Sequence, residues 1–104
     1  MSQIKDIHTL LALAEQGDNR ARGQIGLRYY YGRGGVEQNY KEAVKWFKAA
    51  GWNGYLGMCY LYGHGVKQNY EEAVKCFVAA DDKEMLGECY LHGLGVERNL
   101  NKTI

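Results

Sequence analysis

An all-α fold, an α/α superhelix built as a short solenoid of antiparallel helix hairpins, is what this sequence predicts, and three observations predict it. The stretch "GRGGVEQNYKEAVKWFKAA" (residues 32–50) matches "GHGVKQNYEEAVKCFVAA" (63–80) at 13 of 18 positions once one glycine is dropped, and a third copy opens at Gly93 as "GLGVERNLNK". Inside each copy the apolar residues fall at helical spacing. The 104 residues include no proline and 14 glycines, and glycine is costly inside helices, so these glycines are placed for a reason.

The repeat has a fixed register. Val36, Val66 and Val96 lie 30 apart, as do Asn39, Asn69 and Asn99. Gly26, Gly57 and Gly87 are each followed three residues on by Tyr29, Tyr60 and Tyr90, and three further by Gly32, Gly63 and Gly93. Self-similarity at this period marks stacked supersecondary units, each unable to bury its apolar face alone.

Taken in order, residues 3–16 read as an unpaired capping helix with Ile4, Ile7, Leu10, Leu11 and Leu13 apolar. Repeat one spans about 19–50, repeat two about 52–80, and a partial repeat three about 82–104, within one domain over 1–104 and with about seven helices. The second helix of each hairpin opens on Asn39 or Asn69, with Glu42 or Glu72 three residues later, the arrangement of a capping box. Ala43, Val44, Phe47 and Ala50 then share a face, with Lys41, Lys45 and Lys48 pointing elsewhere. In the first helix of repeat two, Leu56, Tyr60 and Gly63 share a face, and Gly57 costs roughly 1 kcal/mol against alanine. Close approach of a neighbouring helix is the expected compensation. Gly63 is expected to end that helix in a left-handed conformation, Gly65 to allow the reversal, and Val66 to pack ahead of the next cap.

The bulk numbers exclude several classes. A net charge of +1, from 13 basic and 12 acidic residues, lacks the surplus a general nucleic-acid binder needs. No apolar run approaches the roughly 18 residues of a membrane span. The start, "MSQIKDIHTLLALAEQ", lacks the apolar block of a signal peptide. Three cysteines with no C-x-x-C pair read as reduced thiols, hence a cytoplasmic location.

The units, L/I-G-x-x-Y-x-x-G-x-G-V followed by an aromatic residue and A-A, together with "LALAEQGDNRARGQIGLRYYYGRGGV" (11–36), resemble the Sel-1-like repeat, a relative of the tetratricopeptide repeat, over about residues 10–100. The resemblance implies an α/α solenoid that serves as a protein–protein interaction scaffold or adaptor, without catalysis. The sequence departs from the family in one respect. From Ala14 to Gly26 is 12 positions, the family's spacing, whereas Ala50 to Gly57 and Ala80 to Gly87 are 7 each. Repeats two and three therefore lose five residues, and their first helices are expected to start late, at about Trp52 and Asp82. The third copy stops after "NLNKTI", so Leu86, Tyr90 and Leu91 are expected to be partly bare, on a cut chain or on an end that docks.

Positions that differ between repeats are the candidates for function. Four such columns are Gln24/Tyr55/Met85, Leu27/Met58/Glu88, Arg28/Cys59/Cys89 and Tyr31/Tyr62/His92. The expected partner-binding residues are Arg28, Tyr31, Tyr55, Tyr62 and His92, on a concave face that takes a protein or peptide, because aromatic anchors are enriched in interfaces. Tyr29, Tyr60 and Tyr90 are expected in the core, with Tyr40 and Tyr70 stacking between repeats. Cys59, Cys76 and Cys89 are expected to be buried free thiols. No catalytic, metal or cofactor residues are expected: His8, His64 and His92 are dispersed, and "GRGGV" lacks the Lys-Ser/Thr of a phosphate loop. The alternatives are a small hydrolase-like or thiol enzyme using a cysteine–histidine pair, and a structural module that self-associates through its C-terminal end.

Overall fold

Side-chain oxygens start five of the six helices among the described residues. The computed structural model describes residues 5–96, which form α1 (Ile7–Glu15), α2 (Asn19–Tyr31), α3 (Tyr40–Ala50), α4 (Asn53–Tyr62), α5 (Tyr70–Ala79) and α6 (Lys83–His92). Asp6 accepts from Thr9 N–H at 2.7 Å, Asp18 from Ala21 at 3.0 Å, and Asn39, Asn69 and Asp82 from Glu42, Glu72 and Met85 at 3.1 Å. Each bond satisfies one of the orphan donors of a first turn. The expected seventh helix, and the first residues of the expected capping helix, lie outside the described residues.

The capping boxes are made by half. Glu42 and Glu72 turn to Lys45 and Lys75, at 3.4 and 3.3 Å, instead of reaching back to the cap. The Asn39 and Asn69 N–H groups donate across the turn to the carbonyls of Tyr29 and Tyr60, at 2.8 and 2.9 Å. The cap asparagine thus ties the end of one helix to the start of the next.

Positive-φ glycines make the turns. Gly32 (φ 68°) and Gly93 (φ 67°) close α2 and α6 in the left-handed region, and Gly63 (φ 71°) and Gly65 (φ 78°) carry the turn after α4. Asp81 takes φ 53° at the position equivalent to Gly51, the one non-glycine residue with positive φ among those described.

The chain divides at Trp52/Asn53 into two compact units. In the first, Leu10, Ala14, Ala21 and Ile25 are buried, with Ile7, Leu11, Leu13, Tyr29 and Trp46 packed around them. In the second, Leu61, Ala73, Phe77 and Cys89 are buried among Met58, Tyr60, Val74, Met85 and Leu86. Each unit contains the close approach its sequence calls for. A Cβ at Gly26 would stand 2.7 Å from the Phe47 ring, and one at Gly57 would stand 2.6 Å from the Phe77 ring. Phe47 and Phe77 are fully buried, so each hairpin closes by seating an aromatic ring on a bare helix backbone. At Gly87 nothing among the described residues lies within 4 Å.

The shortened spacing resolves into three parts. Before the packing glycine, α2 runs seven residues and α4 only four; the connection leading into the helix is one residue shorter, and α3 stops at Ala50 where α1 runs one residue past Ala14. Trp52 falls outside α4. Its ring lies over Gly23, where a Cβ would stand 2.1 Å away, and stacks beside Phe47 at 6.5 Å and 9°. Tyr40 packs on Tyr30 of its own hairpin, with centroids 5.0 Å apart.

Candidate functional site

Helices with one face in the core present the residues between the core positions to solvent, and the variable columns test whether those residues converge. In the first unit they do. Gln24, Leu27, Arg28 and Tyr31 lie along α2, Leu27 and Arg28 each three or four residues from Gln24 and Tyr31, and line a groove of about 560 Å³. Lys5, Arg33 and Gly34 complete it. Tyr31 is 49% exposed, and the Arg33 guanidinium lies over its ring at 4.5 Å, a cation–π contact. Arg28 is half-buried, and its guanidinium donates to the Lys5 carbonyl.

The second unit repeats the arrangement with different chemistry. Tyr62, Met85, Glu88 and His92 line a groove of about 400 Å³ together with Leu61, Gln68, Tyr70 and Leu94. Tyr62 is 54% exposed. The His92 imidazole lies 3.3 Å from the Glu88 carboxylate. Gln68 Nε2 donates to the Leu61 carbonyl at 2.8 Å and to the Tyr70 hydroxyl at 3.3 Å, which fixes the groove's far wall. Tyr70, from repeat two, lines this groove together with Met85, Glu88 and His92 of α6 in repeat three.

Of the residues singled out in the sequence, Arg28 and Tyr31 share one groove, and Tyr62 and His92 share the other. Tyr55 is partly exposed and lines neither. The Arg28/Cys59/Cys89 column is not uniformly outward. Cys59 and Cys89 are fully buried, so variation there records a change of packing neighbour rather than of ligand. Lys5, Arg33, Gln68 and Leu94 are groove residues that column comparison missed, since they lie in turns or at the edge of the capping helix.

Cys59, Cys76 and Cys89 are buried thiols outside any disulfide. Burial first, and the neighbouring Cys76 second, push the Cys59 thiol up to about 11. Burial and then Glu88 raise Cys89. A nucleophilic cysteine needs its thiolate favoured, and at Cys59 and Cys89 it is disfavoured. Among the described residues no three of His, Cys, Asp and Glu gather as metal ligands, and no helix is long and apolar enough to cross a membrane.

The Sel1 repeat pattern matches residues 20–51, 53–80 and 84–104. This chain belongs to the Sel1 repeat family. Its fold is shared with solved members. The crystal structure of a Sel1 repeat protein from Oxalobacter formigenes superposes with a TM-score of 0.84 at 30% identity, over 93% of this chain and 44% of that one. The crystal structure of c5321, a protective antigen of uropathogenic Escherichia coli with an SLR fold, gives 0.83 at 36% identity, over 86% of this chain and 22% of that one. The all-α solenoid class expected from the sequence is the class these structures carry. A curated relative, the ERAD-associated E3 ubiquitin-protein ligase component HRD3B of Arabidopsis thaliana, is 38% identical over 60 residues, which make up 58% of this chain and 10% of that protein. The Sel1 repeats here thus span a tenth of the length of that relative and less than half of either solved chain.

Proposed function

We propose that this Sel1 repeat chain is a protein-interaction module that takes partner protein on the exposed face of α2 in its first unit and on those of α4 and α6 in its second, and performs no reaction of its own. One observation carries this. The residues that stay constant between repeats (Gly26 and Gly57, Phe47 and Phe77, Ala43 and Ala73) are buried in hairpin cores, while most of those that vary line grooves with exposed aromatic rings. A scaffold holds packing fixed and changes what it offers a ligand. Family membership supports the same role, and the plant relative is itself an E3 ubiquitin-protein ligase component. Three buried thiols, none in a disulfide, support a reducing, cytoplasmic setting.

The test is affinity capture from a native lysate with wild-type protein and with the Tyr31→Ala/Tyr62→Ala/His92→Ala variant. All three side chains are at the surface, so the variant keeps its helical circular dichroism. Partners captured by the wild type and lost by the variant support the role. An unchanged bound set from a folded variant refutes it.

A further inference from the structure

The two grooves differ in charge. The groove on α2 gathers Lys5, Arg28 and Arg33 around Gln24, Leu27 and Tyr31, and no carboxylate is among its lining residues. The groove on α6 carries Glu88 and His92 instead. Three cations within one concavity on a chain of net charge +1 are a local concentration rather than a share of a general excess. Among the described residues the ion pairs are Lys45–Glu42, Lys75–Glu72 and His92–Glu88, none of which uses a groove cation.

A helix C-terminus presents bare carbonyls that repel an anion, and Arg28 stands in the last turn of α2. Those carbonyls are already occupied. Gly32 and Arg33 N–H donate to the Arg28 carbonyl, Asn39 N–H donates to that of Tyr29, and Gln38 Nε2 donates to that of Tyr30 at 3.0 Å. The cations are therefore not consumed in capping the helix. Arg28 uses one guanidinium nitrogen on the Lys5 carbonyl, and the central carbon of the Arg33 guanidinium lies over the Tyr31 ring, 4.5 Å from its centroid.

We infer that the α2 groove, within the interaction role proposed above, recognises an acidic peptide segment of the partner, in which Asp or Glu carboxylates meet Arg28, Arg33 and Lys5 while an adjacent apolar side chain rests on Leu27 and Tyr31. Guanidinium groups pair with carboxylates through parallel N–H···O bonds, and the Leu27–Tyr31 wall supplies the apolar contact that an ion alone would not use. A peptide is favoured over a nucleic acid because the cations form one cluster and do not track a backbone.

The experiment is selection from two pools of 12-residue peptides, one randomised over Asp, Glu, Leu, Phe and Gly, the other with Asn and Gln in place of the acids. The acidic pool is expected to yield binders whose amide counterparts bind at least tenfold more weakly and whose affinity falls as NaCl rises from 50 to 300 mM. Gln24→Glu adds a like charge at an exposed position without removing a contact, and with Arg33→Glu it is expected to weaken binding about tenfold at unchanged circular dichroism. Equal binding of amide peptides, indifference to both variants, or displacement by single-stranded oligothymidylate at lower concentration than by the acidic peptide overturns the inference. A partner captured through Tyr31 and Tyr62 by a segment without carboxylates overturns the charge preference and leaves the module role standing. An acidic peptide that binds while capture ignores the aromatic residues does the reverse.

Discussion

Replacing Gly57 by alanine pits two opposing terms against each other inside α4. Alanine is the better helix former by about 0.8–1 kcal/mol. The added Cβ would stand 2.6 and 2.8 Å from Phe77 ring carbons and 3.1 Å from Cys76 Cβ, where ordinary carbon contacts lie at about 3.5–4.0 Å. Phe77 is fully buried and its ring does not bend, so the hairpin must open by roughly 1 Å or lose the seat of the ring. Overpacking of this kind costs about 1–3 kcal/mol, and three simultaneous short contacts place it at the upper end. The net expectation is a loss of about 1–2 kcal/mol, a drop of roughly 0.5–1 M in the urea midpoint at an m-value of about 2 kcal/mol/M. Gly54 is the control within the same helix: no described atom lies within 4 Å of its Cβ, so Gly54→Ala is expected to gain about 0.5 kcal/mol. Urea titrations followed by circular dichroism at 222 nm read both. If Gly57→Ala unfolds at or above the wild-type midpoint, or shifts in the same direction as Gly54→Ala, the account of the glycine as a seat for Phe77 is wrong.

Other outcomes follow from single features of the chain. Asn69→Ala removes the 3.1 Å bond to Glu72 N–H and is expected to cost about 1 kcal/mol by urea titration, with Asn69→Ser recovering most of it. Asp81→Gly relieves a residue held at φ 53° and is expected to raise the midpoint by the equivalent of about 0.5–1 kcal/mol. The Cys59 thiol is raised from 9.0 to about 11 in the fold, so the unfolded chain releases that proton first. Stability from this group is complete below pH 9 and is lost as pH climbs from 9 toward 11, a decline that Cys59→Ala makes shallower in parallel melts.

Legibility followed locality. The turns and caps were plain because each depends on one residue type at one position: Asn39 and Asn69 accept from the third residue on, and Gly63 and Gly65 turn the chain. The close approach at Gly57 was inferable because a helical glycine repeated in register requires a neighbour. What needed three dimensions was the direction of each side chain. Glu42 and Glu72 fit a capping box in sequence, yet a lysine three residues on draws them outward. Arg28, Cys59 and Cys89 share a column but not an environment. The long arginine reaches the carbonyl of Lys5 beside the capping helix, whereas Cys59 neighbours Cys76 and Cys89 joins the Phe77 cluster. Groove cations from Lys5 and Arg33 were invisible to a comparison of helix columns because neither lies in a helix.

The central claim is that the partner meets the variable faces of α2, α4 and α6. Amide chemical-shift mapping of the isotope-labelled chain against its captured partner tests it most directly. The account predicts perturbations concentrated at Gln24, Leu27, Tyr31, Tyr62, Met85, Glu88 and His92. Perturbations concentrated instead on the opposite helices, at Lys41, Lys45 and Lys48 or around Val78, which is 61% exposed on α5, would contradict it.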